Sequence, residues 1–315
     1  MNTPHAAGCP GKWIGAAFGS AILWTACQTP AFAQCPTTPL CRSTKPDGAL
    51  LHNPNSQGNR VWTTSCGPNT TQRRPDATCE QIAACPQAGG FGKFLRAVTF
   101  NCKVKHFDGY FGLDGMTFGI LDWTSNELPD VLHAFQERDE GGYRDTLGKL
   151  SLPMHNGCLD SKWVCDSNKT GKLMCDANFH DAFVAALKTP GLQKAQVDVA
   201  LSTYEKRLAR YKSLELKSEY GNTAMAVVAN NLRSGSSCRP ATWKQQCAMH
   251  KSDETKLVDC MLDRYVQNSC RGSQRGSIER RDAIKAAFRN ESPSGKIHPS
   301  VDEVIACATS WGNSR

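Results

Sequence analysis

The residues of this 315-residue chain best suited to chemistry lie between Phe107 and Trp123. The run reads Phe-Asp-Gly-Tyr-Phe-Gly-Leu-Asp-Gly-Met-Thr-Phe-Gly-Ile-Leu-Asp-Trp, with carboxylates at Asp108, Asp114 and Asp122. Two Asp-Gly pairs, with Gly112 and Gly119, predict tight turns that bring backbone close to another group. Aromatic side chains at Phe107, Tyr110, Phe111, Phe118 and Trp123 alternate with the carboxylates. Such a mixture suits a sugar cleft, because pyranose rings lay their apolar faces on aromatic rings while carboxylates accept hydroxyl hydrogens. It also suits a packed β-hairpin with Asp-Gly turns, and on composition alone both readings stand.

The order of the residues adds to this. Asp114-Gly115-Met116-Thr117-Phe118-Gly119-Ile120-Leu121-Asp122-Trp123, followed by Leu128 to Phe135, resembles a segment of the lysozyme-like superfamily. The nearest pattern is its bacterial chitosanase and peptidoglycan-hydrolase branch. There an Asp-Gly turn leads into a hydroxyl-aromatic-Gly-Ile element, a polar-Trp pair and a helix. Gln196 to Gly235 is similar to that branch's long helix with a central tyrosine, followed by a helix of small residues. The resemblance covers about half the chain and is absent from residues 34–90 and from 236 onward. It implies hydrolysis of β-1,4-linked amino-sugar polymers such as chitosan or peptidoglycan. Glycoside hydrolysis uses one carboxyl group to protonate the leaving oxygen and a second to assist water or attack. By position Asp114 matches the turn aspartate, with Asp108 competing for the same role, and Thr117 matches a hydroxyl residue beside it. Tyr110, Phe118, Asp122, Trp123 and Asn101 are the implied substrate-binding positions.

The general acid departs from the pattern. The family carries an aromatic residue followed by glutamate on the preceding helix, expected here over Phe91 to Lys103, and this chain has Phe100-Asn101. Asparagine has no acidic proton to give. Asp108, Asp122, Glu127 and Glu80 are the carboxylates open to substitute, and a glycan-binding derivative without turnover, or a secreted interaction protein, are the alternatives. Residues 122–145 hold seven acidic and two basic side chains, a local balance of −5 in a basic chain. Two readings fit: a negative cleft wall that draws a cationic polymer, or a solvated helix face.

These residues need elements to hold them. The clearest helix is expected from Lys194 to Leu216, where Val197, Leu201, Tyr204, Leu208, Tyr211 and Leu214 make one apolar face. Shorter helices are expected at Asn178–Leu187, Thr223–Leu232, Glu254–Val266 and Ser277–Phe288, with Gly221-Asn222 as a separator. Thr78 and Gln81 suggest a capped helix near Cys79, and Ser300-x-x-Glu303 reads as a capping box. Little alternation occurs anywhere. The expected fold is mainly α: a lysozyme-like helical core with a small β-hairpin near residues 98–121, flanked by disulfide-rich terminal segments. The expected division is 1–33 signal peptide, 34–90 Cys/Pro-rich segment, 91–235 core and 236–315 helical Cys-containing segment.

The first 33 residues carry Lys12, an apolar stretch from Trp13 to Cys27, and Ala31-Phe32-Ala33 before Gln34, the order of a secretory signal. A lipid anchor at Cys27 is the rival reading, and Trp24 fits it badly. Cleavage leaves fourteen cysteines, an even number that in an exported chain reads as up to seven disulfides. No Cys-x-x-Cys occurs, and no histidine pair stands at ligand spacing, so neither metal nor cofactor is expected. The net charge of +8 is spread without a basic run, which argues against a nucleic-acid partner. After residue 33 no apolar stretch approaches the ~20 residues of a membrane span. The expected location is secreted or periplasmic.

Overall fold

The computed structural model describes residues 75–111, 117–123, 127–150, 152, 154–155, 158–159, 177–232, 239–268, 274–290 and 293–312. The signal peptide, most of the Cys/Pro-rich segment, Asp114 and the cysteines at 35, 41, 66, 165, 175, 238 and 270 lie outside the described residues. All described residues belong to one unit, Cys35–Arg315.

The fold is mainly helical. Helix α1, Ala77–Ala84, is capped by Asp76, whose side chain accepts from the Cys79 N–H. The expected cap residue, Thr78, is instead buried and bonds the Ser310 hydroxyl at 3.0 Å. Its expected partner Gln81 accepts the Thr309 N–H at 2.7 Å. Tertiary contacts with the chain end therefore take both residues from the local motif. Helix α2, Gly89–Val98, is buried along most of its length. It begins under residues 293–297: the Gly90 N–H donates to the Lys296 carbonyl at 2.9 Å. At Gly89, with φ +51°, a Cβ would fall 2.1 Å from that same carbonyl oxygen, so only glycine fits.

Helix α3, Leu128–Arg138, and α4, Glu140–Thr146, follow, with Asp139 between them capping α4. After α5, Ala177–Leu187, comes the long helix α6, Pro190–Arg210. It starts four residues before the expected Lys194 because Thr189 caps it and Pro190 suits the first helical position. It stops short of Leu216 in a 3₁₀ turn, Lys212–Leu214, closed by Glu215 at φ 54°. Val197, Leu201, Tyr204 and Leu208 are buried, as the apolar stripe requires. Helix α7, Glu219–Asn231, begins before Gly221-Asn222, so those residues lie inside its first turn rather than between helices. A Cβ at Gly221 would come 2.7 Å from Glu254 Oε1, which explains a glycine there. Helices α8, Pro240–Gln246, α9, Glu254–Gln267, α10, Gln274–Asn290, and α11, Val301–Ala306, complete the chain. The Ser300–Glu303 capping box is formed.

Helix α6 packs on α3 and α7, and α2 packs on α1, α7 and α10. A buried ion pair ties α2 to α7: Lys93 Nζ lies 3.0 Å from Glu219 Oε1, with side-chain exposures of 6% and 2%. Glu219 Oε2 accepts from Ser294 Oγ and the Gly295 N–H, both at 2.8 Å, so the pair also anchors the 293–297 segment. Three disulfides occur among the described residues: Cys79–Cys102, Cys85–Cys307 and Cys247–Cys260. Strand pairing there is limited to two-residue segments, β1 Tyr110–Phe111 with β2 Thr117–Phe118, and β3 Met154–His155 with β4 Cys158–Leu159, and a single bridge between Phe118 and Trp123. No described helix is long and apolar enough to cross a membrane.

Candidate functional site

The segment that carries the candidate carboxylates is held at both of its described ends. Asp76, a buried side chain, accepts the Cys79 N–H through Oδ1 at 3.0 Å and the Phe107 N–H through Oδ2 at 2.8 Å. On the other side Gln196, fully buried in α6, donates from Nε2 to the Phe107 carbonyl at 2.6 Å. Its Oε1 accepts the Ile120 N–H at 3.1 Å. One amide thus bridges Phe107 and Ile120, residues on either side of Asp114. The Gly119 N–H donates to the Gly109 carbonyl at 2.8 Å and closes the neck between them. Gly119 has φ +70°, and a Cβ there would sit 2.5 Å from Gln196 Oε1 and 2.8 Å from the Trp123 ring. The clamp therefore requires glycine at 119 as well as glutamine at 196.

The electrostatics centre on Asp76. Burial raises its pKa above the ordinary carboxylate value. The N–H groups of Cys79 and Phe107 and the nearby His106 oppose that shift, while the charge of Asp108 adds to it. His106 is fully buried and Asp108 is half-buried. Two carboxylates and a histidine thus lie together at the base of this segment. Asp76 uses both oxygens on backbone N–H groups, so its direct effect is to fix Phe107 and with it Asp108.

The predicted residues fall in different places. Thr117 and Tyr110 lie on the paired strands, opposite Phe111 and Phe118 respectively. Phe118 and Trp123, expected to bind substrate, are buried in this structure. They are 0% and 4% exposed, and Phe118 packs edge-on against Phe183 in the core. Asp122, at φ 54°, forms a 2.6 Å ion pair with the buried Lys105, which commits it to holding the segment. Asn101 is not on a helix: α2 ends at Val98, and Phe100, Asn101 and Cys102 take φ values of 53°, 60° and 57°. The Thr99 hydroxyl donates to the Leu95 carbonyl at 2.6 Å and accepts the Cys102 N–H at 3.0 Å, which turns the chain toward Cys79. Asn101 lies on a concavity with Glu80.

The acidic stretch 122–145 is spread over helix ends and ion pairs. Asp139 caps α4, Glu137 lies 3.2 Å from His133, and Arg138 grips Asp198 of α6 with bonds of 2.5 and 2.6 Å. Burial raises Asp198 and Asp130 above the ordinary carboxylate value. Among the described residues no group of three or more His, Cys, Asp or Glu is placed to hold a metal ion. No family model, curated protein or solved structure matches this chain.

Asp76 and Gln196 escaped the sequence reading. Asp76 precedes α1 after a proline, an N-cap signal that was available. Gln196 interrupts the buried face of α6, and a polar residue inside an apolar stripe needs a partner.

Proposed function

We propose that this is an exported protein acting on β-1,4-linked amino-sugar polymers, chitosan or peptidoglycan, through the segment between Phe107 and Ile120. In this reading residues 1–33 are a removed signal peptide and the helical core is lysozyme-like. The paired strands are the arms of a small hairpin, and Asp108 and Asp114 are the carboxyl pair, with Thr117 beside them. Tyr110 contributes to substrate binding. The three disulfides support an oxidising, secreted or periplasmic setting. The observation that carries the reading is the double clamp. Asp76 and Gln196 spend buried hydrogen bonds on fixing both ends of an acidic, Gly-rich segment, as a preorganised site demands.

A second reading, glycan binding without turnover, is favoured by Asn101. The residue standing where the resembling family has its acid cannot donate a proton and lies on a left-handed turn outside any helix. The experiment that separates the two incubates the chain with chitosan and with peptidoglycan and measures both reducing-end release and retention on the polymer. Release by the wild type supports hydrolysis. Retention without release, lost in Asp114→Asn, supports the binding module. Neither release nor retention removes both.

A further inference from the structure

The concavity that holds Asn101 has a composition of its own. Ala84 of α1 and Ala283, Ala286 and Ala287 of α10 line it with methyl groups, and the space between is about 450 Å³. Alanine side chains are too short to fill such a gap, and the volume falls within the roughly 300–1,000 Å³ of small-molecule sites. The polar groups are few: Glu80 from α1, Arg96 from the last turn of α2, and Asn101 and Lys103 from the turn that follows. Two cations and one carboxylate thus line the concavity. Arg280 lies 4.7 Å from the centre of the Phe100 ring and adds positive charge beside the same turn.

The turn is held by its own backbone bonds and a disulfide. The Asn101 N–H donates to the Arg96 carbonyl at 2.8 Å, and the Cys102 carbonyl accepts the Asp76 N–H at 3.0 Å. The disulfide Cys79–Cys102 closes it covalently onto α1. The backbone of the turn is therefore ordered in advance, which lowers the cost of ordering it around a ligand.

We propose that this concavity binds a short peptide by its free C-terminal carboxylate. Arg96 and Lys103 take the carboxylate, because charge-assisted hydrogen bonds from two cations outweigh neutral alternatives. Asn101 takes the adjacent amide, Glu80 the amino end, and the alanine wall receives small apolar side chains. A compact anion such as phosphate fits less well, since it gains nothing from the methyl wall and is repelled by Glu80. The proposal is independent of the glycan reading, and neither result decides the other.

The test is calorimetric titration of the full chain with Ala-Ala, with its C-terminal amide, and with inorganic phosphate. Ala-Ala is expected to bind, and the amide to bind at least about tenfold more weakly, about 1.4 kcal/mol. Lys103→Glu is expected to weaken Ala-Ala by a similar factor while its thermal midpoint stays at the wild-type value, because Lys103 is exposed. Glu80→Gln is expected to weaken Ala-Ala but not N-acetyl-alanine, which has no amino group. No binding of Ala-Ala, equal binding of the amide, a folded Lys103→Glu variant with unchanged affinity, or tighter binding of phosphate would each overturn the proposal.

Discussion

Single side chains carry much of the argument at the loop. Gln196 satisfies two buried backbone groups, so Gln196→Ala leaves the Phe107 carbonyl and the Ile120 N–H unpaired. Each such loss costs about 1–3 kcal/mol, and the variant is expected to lose about 2–5 kcal/mol in urea unfolding. A loss below 1 kcal/mol would show that the clamp is not formed. Glu303 gives a pH-dependent prediction. The Lys296 ammonium, then the N–H and hydroxyl of Ser300, hold its pKa at about 2, below the ordinary 4.5. A lowered carboxylate pKa contributes stability that is complete above 4.5 and lost as the pH falls through 2. Glu303→Gln retains a residue able to close the capping box but loses the ion pair. Its thermal midpoint should lie below wild type at pH 7, and the gap should close as the solution approaches pH 2. At this scale the Ser300–Glu303 box was legible because both partners sit three residues apart. The Phe107 partner of Asp76 and both partners of Gln196 lie 31 to 89 positions away, and local pattern does not encode such distances.

At the scale of elements, α2 shows how tertiary demands shape a helix. Its first residues must pass beneath the 293–297 segment and beside α6. A Cβ on Gly90 would meet Tyr204 Oη at 2.5 Å and Thr223 Oγ1 at 2.6 Å, and both of those residues are fully buried. Gly90→Ala should therefore destabilise by about 1–3 kcal/mol, although alanine is the better helix former. A stabilised variant, by thermal unfolding, would contradict this packing. One turn further on, Lys93→Met leaves Glu219 charged and buried without its cation, an expected cost of about 3–5 kcal/mol. The double change Lys93→Met with Glu219→Met should cost less than the single one, and a double-mutant cycle checks the sign. The presence of α6 was legible from its apolar stripe, although both of its ends lie earlier in the chain than expected, and the end of α2 was not legible. The resemblance extends this helix to Lys103, whereas the disulfide to Cys79 and the Thr99 hydroxyl help to bend Phe100-Asn101-Cys102 away from it. The burial of Phe118 and Trp123 was not legible for a related reason: an aromatic ring looks the same in sequence whether it faces a ligand or a core.

For the whole molecule, the C-terminal residues act as a tie. Cys85–Cys307 joins positions 222 apart, and Gln81, Gln193 and Glu219 each bond backbone between 295 and 312. The double change Cys85→Ser with Cys307→Ser should lower stability by about 3–5 kcal/mol through the larger freedom of the unfolded chain. An unchanged unfolding midpoint would mean that the noncovalent contacts of the tail suffice. The same arrangement positions the candidate site, since Trp311 packs edge-on against Phe107 beside the clamp. The mainly helical class was legible from periodicity. The joining of residues 75–90 and 293–312 onto the core was not, because it depends on cysteine pairing, and spacing alone leaves that open.

The most direct measurement is reducing-end release from chitosan and from peptidoglycan, comparing wild type with Asp108→Asn and Asp114→Asn at matched thermal midpoints. The hydrolytic account predicts wild-type turnover reduced at least about 100-fold in kcat by either change, the order expected for loss of an acid or base. Wild-type turnover that survives both changes would contradict it and place the chemistry elsewhere in the chain.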